Sequence, residues 1–414
     1  MARLLAIREA RLYLAGQGLS ILGDTALWLA MGIWVKTLTG SSSAAGLVFF
    51  AFAVPQLLSP LSGTLVDRVR RRPLLIAVNL AMGTAVLPLV AVRGPGDVWL
   101  IYTVMVLYGA SYTVLDSGQS ALLQATLPGE LLADMNGILQ AVRQGLRLVS
   151  PLAGAGLFVL LGGPTVAALD SATFVAAAAA LALMRVSEGR PRPGPLRWRE
   201  QITAGFRHVA RTTRLRQLTI AAAVAVLVLG FSESLIFAVV DRGLHRPPSF
   251  LGVLAAVQGA GGLTGGLLAG RAVRRAGEGV AFALGVVLMA AGELLLIAPS
   301  TPAALAGFAV FGGGLPVAIV AVTTLVQQAT PVELQGRAYA AASMAIGVPQ
   351  TLSIGLGAAL LVVADYRLLL LTVAVVMAAS AGYVLSRREQ RPGLEVTSPG
   401  PVLPPEGDAG TATR

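Results

Sequence analysis

Of the charged residues that fall inside stretches otherwise apolar, five could do chemistry together: Asp24, Asp116, Arg143, Arg147 and Glu233. A charge near the middle of a lipid bilayer costs at least ~2.5–3.5 kcal/mol on insertion scales, so each one asks for an opposite charge, a water-filled cavity or a proton. The chemistry open to such a set is proton binding and release. Burial favours the neutral form of an acid, a neighbouring arginine favours the charged form, and alternation between those settings loads and unloads a proton. Asp24 lies about 13 residues into its stretch, roughly 20 Å along a helix rising 1.5 Å per residue and so close to the midplane. Arg143 and Arg147 are four apart and share one helix face, flanked by Gln140 and Gln144. Glu233 has no opposite charge in its own stretch, which suits a proton carrier; the bland alternative is an acid exposed at one mouth of the pathway. For Asp24, Asp116 and the two arginines the alternative is a structural ion pair.

Other chemistries are excluded by what the chain lacks. There are no cysteines and only two histidines, His208 and His245, both near loops. No metal-ligand constellation, nucleophile triad or phosphate-cradling loop with lysine is present, so neither an enzyme, a metal centre nor a nucleotide-driven pump is expected, and no cofactor. Energy must come from an ion gradient or from the gradient of the transported solute.

The elements that position these residues are membrane helices. Hydrophobic residues make up 55% of the 414, charged residues 12%, and the mean hydropathy is +0.76; a soluble domain would carry about twice that charge fraction. Twelve apolar stretches are expected to span, at about 13–38, 44–66, 74–92, 98–127, 135–161, 165–184, 218–240, 250–270, 280–298, 303–329, 338–364 and 368–386. The net charge of +11 is not a nucleic-acid signature. With the amino terminus in the cytoplasm, 24 of the 31 basic residues fall on the cytoplasmic side, which predicts both termini inside. Lys36, Arg93, Arg242, Arg246 and Arg367 fall outside. Thirty of the 31 are arginine, and with the abundant alanine and glycine this composition looks like that of a GC-rich bacterial genome.

Residues 186–217 form the longest loop. After a Pro-Gly-Arg-rich linker, Trp198, Ile202, Phe206 and Val209 recur at helical spacing with arginines between them, which reads either as an amphipathic helix on the inner leaflet or as a solvated connector whose charge only sets topology. The tail 389–414 is rich in Pro, Gly, Thr and Ser and is expected to be disordered. The domain plan is therefore 1–185, 186–217, 218–388 and 389–414.

One offset recurs twice. Gly63, Leu65, Arg68, Arg71 and Arg72 reappear as Gly266, Leu268, Arg271, Arg274 and Arg275, 203 residues later. Leu122, Gln124, Pro128, Glu130 and Leu131 reappear as Leu325, Gln327, Pro331, Glu333 and Leu334, again 203 later. The chain is two similar halves, and duplicated halves in a membrane protein are a secondary-transporter architecture.

The segment Gly63-Thr64-Leu65-Val66-Asp67-Arg68-Val69-Arg70-Arg71-Arg72 resembles the loop between helices two and three of the major facilitator superfamily, Gly-x-Leu-x-Asp-Arg-x-Gly-Arg-Arg, with Arg70 in place of a glycine. Within it, Leu169-Asp170-Ser171-Ala172-Thr173-Phe174, the run Gly205-Phe206-Arg207-His208-Val209 and Pro331-x-Glu333-x-x-Gly336-Arg337 are similar to the drug:proton antiporter branch that holds macrolide-efflux and enterobactin-exporter-like proteins. The fifth-helix motif of that branch, Gly-Pro-x-x-Gly-Gly, keeps only Pro151 and Gly154, and the fourth span lacks the arginine of many proton-coupled relatives.

The resemblance implies an all-α membrane protein of twelve helices in two pseudo-symmetric six-helix bundles. It implies proton-coupled export of a drug-like compound or secondary metabolite by alternating access in the bacterial inner membrane. An uncoupled or uptake transporter of a small metabolite or lipid is the alternative, and a non-transporting receptor or scaffold a remote one. Helices 1, 4 and 5 would line a cavity shared by Asp24, Asp116, Arg143 and Arg147. Gly63, Asp67, Arg68, Arg71 and Arg72 would form the gating loop. Trp28, Tyr108, Tyr112, Gln119, Phe231 and Gln258 are candidates for the substrate cavity, suited to an amphiphilic, partly aromatic molecule. Glu293 is expected to be structural, Asp170 a helix-start acid, and the expected partners are small-molecule substrate, protons and lipid, with the chain a monomer.

Overall fold

A computed structural model describes residues 7–58, 62, 65–66, 68–126, 129–186, 198–331 and 334–390. Gly63 and Asp67 of the expected gating loop lie outside the described residues, as does the tail beyond 390.

Among the described residues every regular element is helical. In chain order they are α1 (Arg8–Thr39), α2 (Ser42–Ala53, continued as a 3₁₀ turn to Leu58), α3 (Arg71–Val86, continued likewise to Ala91) and α4 (Val98–Thr126). The run Gly129–Leu183 is two helices, α5 over 129–161 and α6 over 163–183, because Gly162 sits at φ 78°. There follow α7 (Trp198–Arg211) and α8 (Thr213–Ala238, continued as a π-turn to Gly243). Gly277, at φ 77°, likewise divides Leu251–Leu295 into α9 (251–276) and α10 (278–295). The chain closes with α11 (Thr301–Gln328), α12 (Gln335–Leu360) and α13 (Tyr366–Ser386). A side chain at Gly162 or Gly277 would strain a left-handed backbone, so both reversals are fixed by sequence.

Nine described runs are long and apolar enough to cross a bilayer. Two of them, Val149–Leu183 and Pro248–Leu295, are split by those glycines, and the shorter apolar run Ser42–Leu57 completes the set. The result is twelve spanning helices, as the sequence predicts, with α7 as an extra helix. An even number of antiparallel spans places the start of α1 and the end of α13 at one end, called here the terminal end; the opposite end is the far end.

Each half has its own apolar core. Leu27, Met31, Ile101, Met105 and Phe174 belong to the first, and Leu218, Phe282, Met289, Leu325 and Met377 to the second. In lipid there is no hydrophobic drive between helices, so close packing of small residues carries the association. A Cβ on Gly109 of α4 would meet the Phe52 carbonyl oxygen of α2 at 2.0 Å, and one on Gly312 of α11 would meet the Gln258 carbonyl oxygen of α9 at 2.1 Å. These glycines are 203 residues apart, so the internal offset marks the same contact in both bundles.

The amphipathic helix forms where the sequence places it, and it docks on protein. Val209 joins the core of the second half, His208 Nε2 lies 3.1 Å from the Ala329 carbonyl oxygen, and Gly205 rests against the backbone of Arg337 in α12.

Candidate functional site

A cavity of about 600 Å³ lies between the halves. Its walls come from α1 and α2 on one side and α8 and α12 on the other. Trp28, Phe49, Phe52, Tyr339 and Met344 supply aromatic and polarisable surface, while Gln56, Gln350 and Thr351 supply hydrogen-bonding groups. Trp28 and Phe49 pack with ring centroids 4.4 Å apart. Glu233 is the one charged residue among those lining the cavity. The chemistry favoured here is that of an amphiphile with aromatic or apolar surface and a few polar groups.

Toward the far end the halves close on each other. A third apolar cluster crosses the interface, joining Leu29, Ile33 and Phe49 to Leu235, Phe237 and Val240. Phe49 stacks on Phe237 at 5.7 Å. Above it, Lys36 at the end of α1 meets Asp241 in the turn after α8 at 2.6 Å, and donates as well to the Gly40 carbonyl (2.7 Å) and Ser42 Oγ (3.1 Å). Ser43 of α2 donates to the Ala358 carbonyl of α12. The cavity continues from this seal to Leu57 and Tyr339, near the terminal end.

Asp24 and Arg143 do not share one chamber. Tyr108 of α4 donates its hydroxyl to Asp24, Ser20 Oγ lies 3.4 Å from Asp24 Oδ2, and the same Tyr108 hydroxyl is 3.5 Å from Asp170 Oδ2. Arg143 instead meets Asp116 at 3.5 Å in a partly exposed pair. Of the four expected charges, Asp24 is thus bonded to Tyr108, and Asp116 and Arg143 to each other. The reason is helix facing: Asp24 turns toward α4 and α6, whereas Asp116 and Arg143 meet across α4 and α5. Arg147 lies on α5, but its side chain is outside the described residues.

Asp170 is the functional candidate that sequence reasoning missed. It lies two turns into α6, 2% exposed, rather than at a helix start. The signal was present in the motif around it. Phe174 packs edge-on against Tyr108 with centroids 5.5 Å apart, Thr173 caps back to the Asp170 carbonyl at 2.8 Å, and Ser171 donates to the Gly83 carbonyl of α3 at 2.7 Å. The motif builds the wall behind Tyr108.

Of the six cavity candidates, Trp28 lines the central cavity. Tyr108 is a correction: 5% exposed, it is consumed by the interior of the first bundle. Tyr112 is half-exposed and meets Phe52 edge-on at 5.9 Å. Gln119 is buried in α4. Phe231 is turned inward against the backbone of Gly357 of α12. Gln258 lines a second, smaller chamber of about 80 Å³ inside the second half. Glu293, expected to be structural, lines that chamber too.

Gly154 lets α5 ride on the backbone of Ala26 in α1, where a Cβ would come within 2.6 Å. Pro151, one turn earlier, presents its carbonyl to Gly252 of α9 across the interface between halves. The fifth-helix motif thus sits where one bundle bears on the other. Of the gating-loop residues, Arg68 is exposed. Arg71 opens α3. Arg72 donates to the carbonyls of Leu181 (2.9 Å) and Ala182 (2.5 Å) at the end of α6, where a positive charge suits the helix terminus. Among the described residues no group of three or more His, Cys, Asp or Glu could hold a metal ion.

Twelve helices in two pseudo-repeated bundles around an interdomain cavity define a transporter architecture. The family model of the Major Facilitator Superfamily matches residues 13–240 and 222–406, and the chain belongs to that superfamily. Over 178 residues it is 28% identical to Macrolide efflux protein A of Streptococcus pyogenes, which is 42% of this chain and 43% of that protein. The chain thus spans less than half the length of the curated relatives it matches. Among solved structures it is similar to a bacterial homologue of the iron transporter ferroportin in an inward-facing state (TM-score 0.68, 16% identity, 92% of this chain and 99% of that one). It is similar also to the POT family transporter PepTSo (TM-score 0.72, 10% identity, 91% and 97%). At such identities the likeness is one of fold.

Proposed function

We propose that this chain is a proton-coupled exporter of amphiphilic, drug-like compounds or secondary metabolites, working by alternating access in a bacterial inner membrane with both termini in the cytoplasm. The observation that carries the reading is the central cavity: aromatic walls, a few amides and hydroxyls, and a single acid, Glu233, within a bundle sealed at the end opposite the termini. With the termini inside, that seal is extracellular and the cavity receives its cargo from the cytoplasm. The macrolide efflux relative supports the direction and the substrate class. Asp24, Asp116, Arg143, Arg147 and Glu233 are the coupling candidates, and Gly63, Asp67, Arg68, Arg71 and Arg72 the inner gate. A monomer is the working unit.

The departures at Ser150 and Ala155 from the antiporter motif, together with the fold-level neighbour PepTSo, keep an uncoupled or uptake transporter as the second reading. The deciding experiment is accumulation of macrolides, dyes and siderophores in an efflux-deficient bacterium expressing the chain, with and without a protonophore. Reduced accumulation that the protonophore reverses establishes coupled export. Increased accumulation of any compound sinks it in favour of uptake.

A further inference from the structure

We propose that Glu293 and Glu233 form a protonation site in the small chamber of the second half, with Glu233 as the carboxyl that joins this chamber to the central cavity. The proposal deepens the coupled-transport reading and rests on it for its physiological role.

The chamber, about 80 Å³, is lined by residues of α8, α9, α10, α11 and α13. Its polar lining is Ser232 and Glu233 from α8, Gln258 from α9 and Glu293 from α10; α11 and α13 contribute glycine and apolar side chains such as Phe308 and Leu370. Among the described residues no lysine, arginine or histidine lines it, and none lines the central cavity. Glu293 is 2% exposed, with the Ser232 hydroxyl beside it, and neither its Oε2 nor that hydroxyl is held by any other hydrogen-bonding group.

Two ionised carboxylates in such a space would be uncompensated charges in a low-dielectric interior, and a buried acid in that position takes up a proton instead. The space is several times the ~10–15 Å³ that one water occupies on this measure, so solvent can bridge the two acids. Glu233 lines both the chamber and the 600 Å³ cavity, which makes it the only ionisable side chain placed between them among those lining either space. A proton arriving from the cavity therefore passes through Glu233 and rests on Glu293.

The site exists once per chain. At the positions 203 residues earlier the first half carries Ala30 and Val90. The duplicated fold has thus acquired this pair in one bundle only, a pattern expected of a functional addition and not of a scaffold feature shared by both halves.

The test uses purified full-length protein in lipid nanodiscs and needs no substrate. Infrared difference spectra between mildly acidic and mildly alkaline buffer report protonated carboxyls through their C=O stretch. Wild type should show such bands; Glu293→Gln should lose the component that belongs to that carboxyl, and Glu233→Gln should keep that component while its response to a change of buffer pH slows severalfold. A spectrum unchanged by Glu293→Gln overturns the proposal, as does loss of that component in Glu233→Gln. Replacing choline by sodium at constant pH is the second arm: displacement of the band by sodium shows a metal cation as the occupant and overturns the assignment to a proton. Should Glu293→Gln fail to fold, Ser232→Ala is the substitute, expected to shift the band because it removes the nearest hydroxyl; no shift counts against the site. The outcomes separate from those of the transport assay. Loss of the band with no export by wild type keeps the site and sinks the exporter, whereas proton-driven export with an unaffected band does the reverse.

Discussion

Lys36 Nζ lies 2.6 Å from Asp241 Oδ2, and this contact ties the end of α1 in the first half to the turn closing α8 in the second. Lys36 is buried with 7% of its side chain exposed, whereas Asp241 is half exposed at 49%. The pair therefore belongs between exposed pairs, worth about 0.2–1 kcal/mol, and buried pairs, whose disruption costs about 3–5 kcal/mol. Because it spans the halves, that energy biases the equilibrium between far-end-closed and far-end-open states. Asp241→Asn is expected to raise the open population about tenfold, the equivalent of about 1.4 kcal/mol. The chain has no cysteine, so Ser234→Cys, buried against Gly46 across the interface, reports opening through its maleimide labelling rate. Labelling should rise about tenfold with Asp241→Asn and return toward wild type when Lys36→Asp is combined with Asp241→Lys. An unchanged rate removes the pair from the gate.

Tyr108 has one hydroxyl hydrogen and faces two acids. It can donate that hydrogen to only one of them, so a hydrogen bond to the other requires a proton on that carboxyl, and the closer contact with Asp24 makes Asp170 the acid to test. Asp170→Asn, which keeps the shape and a donor, should leave the thermal unfolding midpoint near wild type. Asp170→Ala should lower it, by the about 1–3 kcal/mol that an unmet buried hydrogen-bonding group costs. Equal damage from both would show that Asp170 is ionised. Within the export reading, Asp24→Asn should abolish gradient-driven export at normal protein levels; normal export from that variant removes Asp24 from the mechanism.

The contrast between Asp24 and Asp170 shows what sequence could reach. Span positions follow from apolar length and charge placement, since each backbone must bond to itself within lipid, and the offset of 203 follows from residues that reappear in register. Gly109 and Gly312 then fall at equivalent contacts. Which face of a helix meets which neighbour is a different matter. Asp170 precedes its motif partners Thr173 and Phe174 by less than two turns, yet nothing in that spacing says that Tyr108, 62 residues earlier, closes the site. Glu293 escaped for the same reason. The apolar length of α10 says that it spans, but not which of its faces looks into the bundle.

The shared glycine contact carries its own prediction. A methyl group at Gly312 would sit 2.1 Å from the Gln258 carbonyl oxygen, so α9 and α11 must separate to accommodate Gly312→Ala. Overpacking of this kind costs typically 1–3 kcal/mol. Because Gln258 and Phe311 both line the small chamber, the separation should also disturb Glu293. Gly109→Ala makes an equal clash at the Phe52 carbonyl oxygen in the first half and should lower the thermal midpoint by a similar amount while leaving the Glu293 infrared band alone. A thermal midpoint unmoved by either substitution would mean that the close approach is not maintained in the membrane.

Trp28 provides a direct probe of the central cavity. Its ring lines the cavity and packs against Phe49, 4.4 Å away, which in turn stacks on Phe237 of the other half. An aromatic substrate seated there gains ring contact with Trp28, worth about 0.5–1.5 kcal/mol beyond the area buried. Trp28→Phe keeps part of that surface, and Trp28→Ala removes it. For a fluorescent aromatic substrate, affinity in purified protein should fall about tenfold in Trp28→Ala and only a fewfold in Trp28→Phe. Among the described tryptophan side chains Trp28 is the one lining this cavity, so quenching by bound substrate should also be lost when Trp28 is replaced. Quenching that persists in Trp28→Phe, with affinity unchanged in Trp28→Ala, would place the substrate outside this cavity.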